Sequence, residues 1–96
     1  MRDYRKIHAW QEADAWAVAV YKVTAGFPRE ELYGLTSQIR RAAVSVAANI
    51  VEGSARGTNK EYLHFLYTER GSLSEVQSMM HLAARLAYIS KVRHKE

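Results

Sequence analysis

Gly34-Leu35-Thr36-Ser37-Gln38-Ile39-Arg40-Arg41-Ala42-Ala43-Val44-Ser45-Val46-Ala47-Ala48-Asn49-Ile50-Val51-Glu52-Gly53 decides how the rest of the chain folds. Leu35, Ile39, Ala43, Val46 and Ile50 recur at steps of three and four, the spacing of one face of an α-helix. Gln38, Arg41, Ser45, Asn49 and Glu52 recur at the same steps and make a polar stripe. Between the stripes lie Ala42, Ala43, Ser45, Ala47 and Ala48, side chains small enough for a second helix to come near the short end of the usual interaxial range of about 8–10 Å. A helix that is narrow, half polar and closely approached belongs in the middle of a bundle.

On the N-terminal side of this stretch, the spacing predicts a helix from about Ile7 to Ala25. Trp10, Ala13, Ala17, Val20 and Thr24 form its stripe, flanked by Trp16, Tyr21 and Phe27. Ala9, Ala15, Val18, Ala19 and Val23 carry the apolar surface further round, so more than one side should be covered, the second by another subunit. Gly26 offers a left-handed cap and Pro28 cannot continue the helix. On the C-terminal side, Gly53-Ser54-Ala55-Arg56-Gly57 is a turn. Thr58-Asn59-Lys60-Glu61 is a capping box that opens a helix reaching about Tyr88. Its stripe is Tyr62, Leu66, Leu73, Val76, Met80, Ala83 and Ala87. Gly71, which costs about 1 kcal/mol against Ala in a helix, is expected where another backbone comes close. The chain therefore reads as all-α, an antiparallel up-down helical bundle with three main helices and a short or truncated fourth, in one domain over residues 1–96.

The 96 residues hold no cysteine, one proline and five glycines. A chain of this length buries only about 60–65% of its unfolded surface and is marginal alone. Without cysteine there is no disulfide framework and no thiolate metal site, which fits a reducing cytoplasm. The sequence has no signal-peptide pattern and no apolar run near the roughly 20 residues of a membrane span.

The formal net charge is +4. Basic residues gather in three places: Arg2, Arg5 and Lys6 around Tyr4, Arg56 and Lys60 at the second turn, and Lys91, Arg93 and Lys95 at the end. Each is ordinary solvated surface on the plainer view. On the sharper one, cations beside an aromatic ring grip phosphates and stack a base. Arg2, Arg5, Lys6, Arg56, Lys60, Lys91 and Arg93 are thus the candidate nucleic-acid contacts, acting through charge and shape.

If the second turn centres near Ala55, Arg41 falls near Glu69 and Arg70, Arg40 and Gln38 near Ser72 and Leu73, and Asn49 near Tyr62. Gln38, Arg40, Arg41, Asn49, Glu52, Glu69, Arg70 and Glu75 would then form a polar network that sets helix register. The alternative is that Arg40, Arg41 or Arg70 faces a surface or pore and binds phosphate. No catalytic constellation appears. His8, His64, His81 and His94 form no His-Glu-x-x-His motif, and Ser37, Ser45 and Ser72 have no histidine at helical spacing. No metal, cofactor or enzymatic activity is expected.

The run Leu35 to Ser45, then Asn49-Ile50 and Glu52-Gly53, resembles the signature of the four-helix-bundle proteins encoded in intervening sequences of bacterial 23S ribosomal RNA genes. Arg70-Gly71-Ser72-Leu73 with Glu75 is similar to that family's second signature, and Tyr4-Arg5-Lys6, Trp10-Gln11 and Phe27-Pro28 to its opening. Ala47 stands where the family pattern has a helix-kinking proline, and family members usually continue into one more long helix after the equivalent of Ile89. The resemblance, which extends to the accessory protein of diversity-generating retroelements, implies a pentameric ring with a basic surface. It also implies a partner that is RNA, a ribosomal component or a reverse transcriptase. Together these point to a cytoplasmic, non-enzymatic, self-assembling protein that binds RNA more readily than DNA. The alternative is a protein-interaction scaffold that takes a partner helix.

Overall fold

The computed structural model describes residues 3–55 and 59–89, the side chains of 59, 62–63 and 65–69 excepted. A 3-10 turn at Tyr4–Lys6 precedes α1 (His8–Thr24), and a second 3-10 turn at Arg29–Glu31 precedes α2 (Leu35–Ser54) and α3 (Asn59–Arg85). No strand occurs among the described residues. The chain is a rod of 44 × 20 × 20 Å.

Helix α2 lies between the other two, packing against both. Most of the apolar stripe is buried: Ile39 and Ala43 fully, and Val46 and Ile50 nearly so, with Thr36, Ala42 and Ser54 buried beside it and Leu35 half-buried. One core cluster joins Val20 and Phe27 to Ile39, Ala42, Ala43, Val76, Ala83 and Ile89. A second joins Ala13 to Val46 and Ile50, with Trp10, Trp16 and Leu73 against it. The end of α1 therefore meets the start of α2, while the middle of α2 meets the start of α1. Ser45 Oγ is 3.0 Å from Ser72 Oγ, and Val46 and Ile50 cluster with Leu73 while Ile39 and Ala43 cluster with Val76 and Ala83, so α3 runs antiparallel to α2.

Several local expectations are corrected. Ser45 stands opposite Ser72, so Arg41, one turn back on α2, meets α3 near Val76 rather than near Glu69 and Arg70. Part of the cause is that α2 runs on to Ser54 and α3 opens at Asn59, which moves the turn later in the chain. Gly26 does not use the left-handed region. Helix α1 ends instead through Gly26 N–H to Val23 O and Phe27 N–H to Thr24 O, both in ordinary backbone geometry. The left-handed residue is Ala87, at φ 64°. Tyr88 N–H bonds back to Ala83 O, the six-to-one closure that ends α3 at Arg85 and takes Ala87 out of the apolar stripe. A Cβ added to Gly71 would meet nothing within 4 Å among the described residues, so no other described segment comes close to it there. Thr58, the first residue of the expected capping box, and the side chains of Tyr62 and Leu66 lie outside the described residues.

Candidate nucleic-acid interface

Arg5 and Lys6 sit exposed in the first 3-10 turn. The Arg5 guanidinium is partly engaged: its Nε lies 3.2 Å from Asp3 Oδ1, and Asp3 Oδ1 also accepts the Arg5 N–H. The side-chain bond from Arg5, then its backbone bond, hold the Asp3 carboxyl below its ordinary pKa, and the same pair raises that of Arg5. The Tyr4 ring stands edge-on to Trp10, with centroids 5.0 Å apart, and so is turned back onto α1. Lys60, in the first turn of α3, is exposed. The antiparallel order brings Arg5, Lys6 and Lys60 to one end of the rod, but Asp3, Glu52 and Glu61 stand there as well. Arg2, Arg56, Lys91 and Arg93 lie outside the described residues, as does the Glu69 side chain.

The expected polar network divides. Arg40 turns toward α1: its Nε donates to Thr24 Oγ1 at 2.8 Å and its Nη2 to Tyr21 O at 3.2 Å. Its guanidinium carbon lies 4.6 Å from the Tyr21 ring centroid. A cation thereby meets a carbonyl in the last turn of α1, where the helix dipole is negative. Thr24 passes the bond on to Val20 O at 2.8 Å. Arg41 and Arg70 are exposed, and no ion pair among the described residues joins Arg40, Arg41 or Arg70 to Glu75. Gln38, Arg41, Ala42, Ser45 and Glu75 line a shallow cleft on the α3 side. Asn49 is half-buried and Glu52 exposed.

On the other side of Arg41 is a cleft of about 500 Å³ lined by Tyr21, Leu32, Tyr33, Thr36, Ser37, Arg40, Arg41 and Val44. No carboxylate is among these residues. Tyr33 is 94% exposed, an aromatic ring standing in solvent. Thr36 is 3% exposed, and its hydroxyl has no hydrogen-bond partner among the described residues. The start of α2 carries no acidic residue in its first turn, but the Glu31 carboxylate meets the positive end of its dipole. Its Oε1 accepts the Leu35 N–H at 3.2 Å and its Oε2 the Tyr88 hydroxyl at 2.9 Å. That bond is the first cause of the raised pKa of Tyr88. The charge clusters of the sequence missed this cleft. Its signal was one of spacing, since Tyr33, Ser37, Arg40, Arg41 and Val44 fall at i, i+4, i+7, i+8 and i+11.

Residues 5–96 match the 23S rRNA-intervening sequence protein family. The chain belongs to that family. The sequence matches no curated protein. In this member of the 23S rRNA-intervening sequence proteins, a third feature bears on assembly. A groove of about 410 Å³ runs between α1 and α3, floored by Ala13, Val46 and Ile50 and walled by Trp16 and Leu73. Leu82, near the end of α3, and Leu86, just beyond it, are both half-exposed. No group of three or more metal-ligating side chains lies together among the described residues. No helix among them is long and apolar enough to cross a membrane.

Proposed function

We propose that this 23S rRNA-intervening sequence protein is a non-enzymatic, cytoplasmic helical bundle that self-assembles and presents a basic surface to RNA. The observation that carries this is the exposed Arg41 beside Arg40 in a cleft whose lining includes no carboxylate. Arginines free of acidic partners can neutralise phosphates without first losing an ion pair. Membership of a family named for an intervening sequence of ribosomal RNA supports RNA as the polyanion. Self-assembly is supported by the apolar groove between α1 and α3, which is where a fourth helix of an up-down bundle would lie. A second copy that covers this groove would multiply the net charge of +4 and strengthen the attraction.

The test is the native mass of the particle with and without RNA, combined with a salt titration of binding. Self-assembly predicts a mass that is a multiple of 11.0 kDa at micromolar concentration. RNA binding through phosphates predicts that log affinity falls linearly with log salt. A monomer that binds no RNA at low salt refutes the proposal. The groove also favours a second function, a scaffold that takes a helix from a different protein. In that case an unrelated chain co-purifies in fixed ratio, and RNA affinity is absent.

A further inference from the structure

We propose that the cleft at the start of α2 takes an unpaired stretch of RNA, with one phosphate held by Arg41 and Arg40 and one base laid on the Tyr33 ring. The inference rests on the RNA-binding function above and names its contact surface. Arg40 is already oriented, because Thr24 and the Tyr21 carbonyl claim its Nε and Nη2. Its Nη1 is unclaimed among the described residues and stays in the same fixed plane. Arg41, its exposed neighbour, supplies a second guanidinium without an acidic partner inside the cleft. Two planar donors side by side suit a phosphate oxygen pair.

The Tyr33 ring gives the preference for unpaired strands. Both faces of a base in a duplex are already stacked, whereas a base in a loop or at an end has a free face for an aromatic ring. A ring that is 94% exposed presents such a platform without rearrangement. Leu32 and Val44 border the cleft and offer apolar contact to a ribose or base edge. The volume of about 500 Å³ lies within the range that holds compact ligands, about 300–1,000 Å³. The independent sign of a ligand is Thr36. Thr36 is among the residues that line the cleft, its buried hydroxyl has no partner among the described residues, and a buried polar group left unsatisfied is a cost that folding alone does not explain. A phosphate or ribose oxygen entering the cleft would give that hydroxyl an acceptor. Glu31, at the first amide of α2, and Glu75, across Arg41 on the α3 side, lie outside the cleft lining.

The test measures fluorescence anisotropy of a labelled ten-nucleotide oligouridylate and of a labelled RNA hairpin stem against the full chain. The variants are Tyr33→Ala, Tyr33→Phe, Arg41→Ala, Thr36→Val and, as a comparison, Arg5→Ala with Lys6→Ala. Tyr33 and Arg41 are exposed, so their loss leaves the fold intact. Tyr33→Ala should weaken oligouridylate binding about 5- to 150-fold, the span of one lost base stack, while Tyr33→Phe retains it. Arg41→Ala should weaken binding and flatten the single-strand salt slope by about 0.7. Thr36→Val should raise the melting temperature while weakening binding, a pair of opposite effects that a purely structural hydroxyl cannot produce. Wild-type protein should prefer the oligouridylate to the stem.

If wild type binds and Tyr33→Ala and Arg41→Ala bind within twofold of it, the cleft assignment is wrong and RNA binding stands. If wild type binds neither probe at low salt, the function proposed above fails and takes this inference with it. If Tyr33→Ala lowers the native mass without changing affinity, the cleft is a contact between copies, which also overturns the assignment.

Discussion

Adjacent arginines on α2 should respond unequally to the same substitution. Arg40→Ala removes a charged donor from the hydroxyl of buried Thr24, a second from the exposed Tyr21 carbonyl, and a cation resting on the Tyr21 ring. A hydrogen bond from a charged group contributes about 1.5–3 kcal/mol, and a cation over an aromatic ring about 0.5–1 kcal/mol at exposed sites. The bond to Tyr21 O is exposed and counts for little, and Thr24 keeps its bond to Val20 O, so no buried group is orphaned. The net loss is about 2 kcal/mol. For a domain of this size that lowers Tm by about 8–16 °C. Arg41→Ala touches only exposed surface and should stay within about 0.5 kcal/mol of wild type. Arg40→Lys keeps the charge but not the planar fork, and should fall between the two. The assay is urea unfolding followed by circular dichroism at one fixed protein concentration, because self-assembly makes stability concentration-dependent. Equal losses for the two alanine variants, or a larger loss for Arg41, would mean that Arg40 does not tie α2 to α1 and would sink the reasoning.

Ala87→Gly should stabilise the chain by about 1 kcal/mol, since φ 64° strains any residue with a Cβ, and thermal melting will show it. Gly71→Ala should add about 0.5–1 kcal/mol through helix propensity, because the new methyl meets no neighbour within 4 Å. A fall in native mass on the same substitution would reveal that another copy packs against α3 there. Stability should hold up to near pH 10 and then decline. The Glu31 bond lifts the Tyr88 pKa above its ordinary 10.0, so the folded chain retains a proton that the unfolded chain has released. Tyr88→Phe, compared with wild type across that range in urea titrations, should remove this part of the decline.

The helices were legible because the pattern that specifies them is local. Ile39, Ala43, Val46 and Ile50 repeat at helical spacing, and burial falls on these side chains. Register was not legible, because it depends on where α2 stops. Glycine at 53 reads as a stop, yet Gly53 and Ser54 are both buried within the last turn of α2. That delay carried Arg41 away from Arg70, and it left Arg40 to a helix that the hairpin arithmetic had not considered. Helix endings misled in a related way. Glycine is the residue that reaches positive φ at least cost, so Gly26 drew attention while Ala87 took the conformation. The cleft escaped because Tyr33 precedes the helix whose face it extends, and because neither the charge clusters nor the apolar stripe contains it.

Glu31 has a kinetic consequence. One of its oxygens holds the first amide of α2, and the other holds a hydroxyl that lies 57 residues further along the chain. The entropy of closing so long a loop must be met before Tyr88 can reach it, as it must for the Phe27 ring, which also packs on Tyr88. These contacts to Tyr88 should therefore be among the last made as the protein folds and among the earliest to open when it loosens. Amide exchange at Leu35 would time that event, reporting on a tyrosine at the opposite end of the sequence.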